Sequence, residues 1–172
     1  MAKKVSKDIP LAEITLRKYE KPGDLSKRDL IKKLCLSVGL LQPGDSRDVI
    51  VDIFHSLNES GKELSSENVK EEVIKLRKQL NLPLKGIAGS NIRRQLKRLR
   101  DMHLIEKIRN DYRINENESL INLFEEKIEK FHLRSIIDRV KEYFRAVKWY
   151  MSQEKILFYC KNMLINILEA RY

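Results

Sequence analysis

The sequence predicts a mainly α-helical chain with one small β-hairpin and additional helices toward its C-terminal end. Three features predict this class. Apolar residues recur at three- and four-residue intervals in successive segments from Leu30 onward, the period of helices with one buried side. A basic amphipathic helix starting near Gly89 or Ser90 runs straight into two short apolar runs separated by Asn110 and Asp111. Beyond Asn115 extended apolar faces return.

Residues 1–25 contain Pro10, Pro22 and Gly23 and a brief alternation at 14–16, which supports an arm or a short strand. The basic start at Lys3 and Lys4 reads either as an arm touching a polyanion or as an ordinary frayed terminus. Residues 26–45 form a leading helix and turn. Ser26 caps it, and Leu30, Ile31, Leu34, Cys35 and Val38 make its apolar stripe before Gly39 and the 42–45 turn end it. A second helix follows Ser46, burying Val49, Ile50, Ile53, Phe54 and Leu57, with His55 at the edge of that stripe as a structural histidine. Leu64 and Ser65 open a third, with Val69, Val73, Leu76 and Leu80 inward. Pro83 and Gly86 then redirect the chain.

The C-terminal region, 116–172, reads as three helices. Their apolar faces are Leu120, Ile121, Phe124, Ile128 and Phe131, then Ile136, Ile137, Val140, Phe144 and Val147, then Leu157, Cys160, Leu164 and Ile167. Such faces at a chain end are expected to complete their burial against a symmetry mate in a homodimer, with packing over the main domain as the alternative. Trp149, Tyr150, Phe158 and Tyr159 read as core or interface residues before they read as a ligand pocket.

The formal charge is +10, from 35 basic against 25 acidic residues, and nine basic residues against three acidic ones fall between Lys85 and Arg113. That concentration makes nucleic acid the leading partner. Cys35 and Cys160 stand apart within apolar patterns and read as buried thiols, which points to a reduced, cytoplasmic setting. The chain lacks any run near the roughly 18 apolar residues that a membrane span needs, and its N-terminus lacks the apolar segment of a secretory signal.

On the basic helix, Ile92, Leu96 and Leu99 fall within about 40° of one another at roughly 100° per residue and face the core. Ser90, Arg94, Lys97, Arg98 and Asp101 occupy the opposite arc. A helix of this width enters a B-DNA major groove, so Ser90, Asn91, Arg94 and Arg98 are the candidate base contacts, with bidentate guanine recognition by the arginines and adenine or phosphate pairing by Asn91. The more lateral Arg93, Lys97 and Arg100 are candidate phosphate contacts. Asn110 and Asp111 are expected to form the hairpin turn, with Ile108, Tyr112 and Ile114 inward and Lys107, Arg109 and Arg113 directed at phosphates or the minor groove.

Three helices followed by this hairpin resemble the winged helix-turn-helix fold of archaeal and bacterial transcription regulators. The resemblance covers 46–115, with SNIRRQLKRLRDMHLIEKI similar to the recognition helix and first wing strand, and RNDYRI to the wing turn and return strand. It implies a helix in the major groove, a wing on an adjacent groove or the backbone, and symmetric dimers formed by helices outside the binding domain. Where such sequences commonly carry Gly before Leu-Ile, this chain has His103, which must then take the left-handed terminal conformation or cap the helix differently.

Other chemistries find little in the residues. The segment GIAGS at 86–90 lacks the Gly-Lys-Ser/Thr ending of a phosphate loop. His55, His103, His132 and the two cysteines show no metal-ligand spacing, so neither metal nor cofactor is expected. Ser60, Ser65 and Ser66 are turn and cap residues, and Glu71, Glu72, Glu125 and Glu126 lie on solvated faces. A nucleic-acid-processing enzyme would need an acidic cluster at the basic surface, where only Asp101 and Asp111 stand, so a non-enzymatic role is expected. The expectation is a dimeric, sequence-specific double-stranded DNA-binding regulator. The alternatives are a replication, plasmid-maintenance, chromatin or RNA-binding protein, and an adaptor taking an acidic protein partner.

Overall fold

A computed structural model describes the backbone of residues 9–169 and the side chains of residues 9–151. Its elements are α1 (Lys27–Ser37), α2 (Val49–Ser60), β1 (Leu64–Ser65), α3 (Ser66–Gln79), α4 (Gly89–Asp101), β2 (Ile105–Ile108), β3 (Asp111–Ile114), a 3-10 turn (Asn115–Asn117), α5 (Leu120–Leu123), a π-helical stretch (Phe124–Leu133) and α6 (Arg134–Glu169). The fold is mainly α with one antiparallel sheet in the order β1-β3-β2. Two compact units divide in sequence between Phe131 and His132.

In the first unit α2 is the central element. Val49, Ile50, Val51, Ile53, Phe54 and Leu57 are all at most 1% exposed. The run VIVDIF is apolar nearly all round, as a helix must be when neighbours cover every side, and α1, α3, α4 and β3 all pack on it. Ser26 caps α1 as expected, its hydroxyl accepting from the Asp29 amide at 3.2 Å, and Ser65 caps α3 through the Asn68 amide at 3.1 Å.

Two expected stripes are corrected. On α1, Ile31 and Cys35 are buried but Leu30 is 40% exposed. On α3, Val69 and Val73 are sealed while Leu80 is 45% exposed, and the next inward position after Val73 belongs to Arg77, 1% exposed. Spacing alone puts Leu76 and Arg77 on neighbouring lines of the helix; the carboxylates waiting on α2 decide which turns in.

β1 went unexpected because two residues carry no alternation. It exists through its partner, with Leu64 opposite Tyr112 and Ser65 opposite Asp111. The β2–β3 turn is also corrected. Ile108 pairs with Asp111, so the two-residue loop is Arg109-Asn110, not Asn110-Asp111. Arg109 takes the positive φ (55°) that such a loop demands.

The N-terminal segment has no regular secondary structure in its described residues and is tied to α1 by Arg17, by the Lys33–Glu20 ion pair and by Lys33 over the Tyr19 ring. The Arg17 amide donates to the Ser37 carbonyl at 2.8 Å, and its guanidinium donates to the Leu36 carbonyl at 2.9 Å, the Leu41 carbonyl at 3.3 Å and Gln42 Oε1 at 2.7 Å. Carbonyls at a helix end have no partner within the helix, so a guanidinium there is favourable. Gly39 makes the approach possible: its φ is +75°, and a Cβ would lie 2.7 Å from Thr15 Cβ.

The three expected C-terminal helices are one uninterrupted run of helical backbone from Leu120 to Glu169. All six glycines and four prolines lie before residue 90, so nothing in this stretch breaks a helix. Within the first unit Leu123 and Ile128 are buried and Leu120 and Phe124 pack against the core, whereas Ile121 and Phe131 are exposed. The inward line therefore keeps the expected Leu120, Phe124 and Ile128, adds Leu123, and leaves out Ile121 and Phe131. In the second unit Ile137, Val140, Tyr143, Phe144, Val147, Trp149, Tyr150 and Met151 are all exposed within the chain. The expected face at Leu157, Cys160, Leu164 and Ile167, and Phe158 and Tyr159, lie outside the residues whose side chains are described. Among the described residues no helix is long and apolar enough to cross a membrane.

Candidate nucleic-acid interface

α4 is held by its apolar side. Ile92, Leu96 and Leu99 are fully buried, and Gln95 joins them at 6% exposed. Ser90, Arg93, Arg94, Lys97, Arg98, Arg100 and Asp101 are all exposed, so five cations stand on the outer side of one helix of 13 residues. The helix begins at Gly89 with Ala88 in the cap position and no side-chain cap, so the Ser90 hydroxyl is not spent on the helix start.

The cations differ in what else they hold. Lys97 and Arg100 make no side-chain hydrogen bond or ion pair with another described residue, and Arg93 approaches only Glu67, at 3.8 Å. Arg94 Nη2 donates to Asn91 Oδ1 at 2.9 Å, while Asn91 Nδ2 donates to the Gly86 carbonyl at 2.7 Å. Asn91 is thereby a bracket between helix and turn. Gly86 has φ +78°, and a Cβ there would lie 3.2 Å from Asn91 Nδ2, so this turn requires glycine. Arg98 is the most committed of the set: Nη2 donates to the Leu40 carbonyl at 2.6 Å and Nη1 to Gln95 Oε1 at 2.8 Å. As it stands, Arg98 fastens α4 to the corner after α1.

The hairpin divides in the same way. Arg109 stands at the loop tip, exposed and without an ion pair among the described residues. Lys107 Nζ lies 5.7 Å from the centroid of the Tyr112 ring. Arg113 Nε donates to Glu106 Oε1 at 2.8 Å and its Nη1 lies 3.3 Å from Glu63 Oε1, so it ties the two hairpin strands and the β1 approach together. Burial pushes the Glu106 carboxyl up, but the Arg113 hydrogen bond, the Glu116 amide and the charges of Arg113 and Lys127 outweigh it and hold the group below the ordinary carboxylate range.

The end of α4 meets the expectation for His103. Its φ is +58°, the Leu104 amide donates to the Leu99 carbonyl at 3.1 Å, and the His103 amide donates to the Arg100 carbonyl at 2.9 Å. These two bonds are the Schellman pattern, here with histidine in the glycine place.

What positions the start of α4 is a buried charge network that the spacing of apolar residues does not reveal. Arg77 Nη1 donates to the Pro83 carbonyl at 2.7 Å and the Lys85 carbonyl at 3.2 Å, both in the turn leading into α4. Its other nitrogens meet Asp52 Oδ2 at 2.6 Å and Asp48 Oδ1 at 2.8 Å. Arg28 of α1 takes the remaining oxygens, Asp52 Oδ1 at 2.7 Å and Asp48 Oδ2 at 2.8 Å. The readable signal is Asp52, a lone carboxylate inside the apolar run VIVDIF of α2, with Asp48 one turn earlier at the cap of that helix.

A cleft of about 480 Å³ opens beside α4, between its first three turns and the loop before α2. Arg47, Arg94 and Arg98 line it together with Ser90 and Asp45. Among the described residues no three His, Cys, Asp or Glu side chains are placed to hold a metal ion. Compared with protein-family models, curated proteins and solved structures, the chain matches none of them.

Proposed function

We propose that the first unit is a winged helix-turn-helix that binds double-stranded DNA and that the protein is a dimeric, sequence-specific transcriptional regulator. The order α2-β1-α3-α4-β2-β3 with sheet order β1-β3-β2 supports the winged-helix assignment. The observation that carries the reading is on α4: Ile92, Leu96 and Leu99 are sealed while Arg93, Arg94, Lys97 and Arg100 stand in solvent on the other arc. A buried stripe fixes the helix, and the exposed cations then face outward at a spacing suited to phosphates flanking a groove. Arg94, Ser90 and Asn91 are the base-reading candidates, and Arg98 joins them by exchanging the Leu40 carbonyl for a base or phosphate.

The dimer is assigned to α6. Ile137, Val140, Phe144, Val147 and Met151 follow one another at intervals of three, four, three and four, the seam of a coiled coil, and all five are exposed within the chain. Two such subunits would present their α4 helices to half-sites about one helical turn, roughly 34 Å, apart.

The test is a titration of labelled random duplex, structured RNA and duplexes selected from the source genome between about 50 and 200 mM salt, where phosphate contacts weaken steeply. Tighter binding to selected than to random duplex, lost on Arg94→Ala, is the expected result. Preference for RNA would replace DNA in the reading. Undetectable nucleic-acid affinity at the lowest salt would move the basic face to an acidic protein partner.

A further inference from the structure

We propose that the cleft between α4 and the loop before α2 is a phosphate-binding subsite, with Arg47 as a contact to a backbone phosphate outside the helix and hairpin. This rests on the duplex-binding reading. The cleft of about 480 Å³ has Arg94 and Arg98 on its α4 wall and Arg47 on the wall opposite. Arg94 and Arg98 are held on that wall by Asn91, Gln95 and the Leu40 carbonyl. Arg47 makes no side-chain hydrogen bond or ion pair with another described residue and is exposed.

The carboxylate in the cleft is Asp45, and its Oδ1 accepts from the backbone amide of Arg47 at 2.9 Å. That bond ties the loop on itself and leaves the guanidinium uncompensated. Three guanidinium groups against one carboxylate give the cleft a surplus of positive charge, and the planar fork of Arg47, which holds no other described side chain or carbonyl, matches the oxygens of a phosphodiester. Ser90, exposed and not used as a cap, adds a hydroxyl donor at the same mouth. With α4 in a groove, the loop at Arg47 reaches the strand flanking that groove, so the footprint is wider than helix plus hairpin.

The experiment compares the salt dependence of random-duplex binding for the full chain, Arg47→Ala, Arg47→Lys and Lys75→Ala. Lys75 lines a separate cleft between α2 and α3 and serves as the charge-matched control. Arg47→Ala should flatten the slope of log affinity against log salt by about one unit, Arg47→Lys should restore it, and Lys75→Ala should leave it unchanged. An unchanged slope in Arg47→Ala, or an equal drop in Lys75→Ala, overturns the subsite while duplex binding by the parent stands. A parent with no salt-dependent duplex binding overturns both. Inorganic phosphate that raises the melting temperature of the parent but not of Arg47→Ala, with duplex slopes equal, would assign the cleft to a free phosphate and overturn the backbone contact.

Discussion

Arg77 Nε donates to Asp52 Oδ2 at 2.6 Å with the two residues 1% and 0% exposed, a fully enclosed ion pair between α3 and α2. Enclosing two charges is costly, and the cost is tolerable only when every remaining donor and acceptor is matched. Here Arg28 covers the other oxygen of Asp52, Asp48 takes a second Arg77 nitrogen, and the Pro83 and Lys85 carbonyls take the third. One guanidinium therefore joins α2, α3 and the turn that launches α4.

Replacing Arg77 with Met should destabilise the first unit by about 3 to 5 kcal/mol, because it strips one partner from an enclosed carboxylate. Arg77→Lys should recover only part of this, since a single ammonium cannot serve two carboxylates and two carbonyls in a plane. Denaturant unfolding followed by circular dichroism measures both.

Acid should unfold the first unit through Asp48. Burial pushes its carboxyl up, but the Arg28 hydrogen bond and the charges of Arg28, Arg77 and Lys32 prevail and hold it below its ordinary value. A lowered folded value means that the stabilisation is complete above the unfolded value, about 3.9, and is lost as pH falls through the folded one. Asp48→Asn should be less stable at neutral pH and flatter in its pH dependence below about 4. Melting temperatures across the acid range check this.

His103→Gly should stabilise the protein by about 1 kcal/mol, since the left-handed terminal position strains any side chain and glycine relieves it. Asn115 Nδ2 donates to the His103 backbone carbonyl at 3.0 Å, a bond that survives the change. A higher denaturant midpoint with an unchanged slope is the expected result; a lower midpoint would show that the imidazole itself contributes.

The cations of the interface should separate into two groups. Lys97→Ala and Arg100→Ala should each reduce the salt slope of duplex binding by about one unit and leave stability nearly untouched. Arg113→Ala should do the reverse, because its bonds run to Glu106 and Glu63 inside the hairpin.

Introducing a charge into the α6 seam, as in Phe144→Asp, should convert a dimer to a monomer in sedimentation while leaving the first unit's melting behaviour intact. A monomeric parent at micromolar concentration would remove the dimer from the proposal.

Helix positions were legible wherever the apolar period was strong, as at Val69 and Val73 or Ile92, Leu96 and Leu99, since burial of such a stripe is nearly obligatory. The left-handed His103 was legible too, from its place before Leu104-Ile105. What escaped depends on partners distant in sequence. β1 is two residues made into a strand by Tyr112 and Asp111. Arg77 reads as a surface charge until Asp48 and Asp52 are placed beside it. At the interface all ten expected residues lie on α4 or the hairpin, but the spacing could not distinguish Lys97, which makes no side-chain hydrogen bond or ion pair among the described residues, from Arg98 and Arg113, which are engaged.

The corner at residues 36–42 is gripped from two directions, by Arg17 at the Leu36 and Leu41 carbonyls and by Arg98 at the Leu40 carbonyl. A protease nick that released the stretch upstream of α1 would free half of this clasp, and a ligand drawing Arg98 outward would free the other half. Trimming the chain to begin at Ser26 would therefore not yield a neutral fragment: it would loosen the corner that anchors the basic helix.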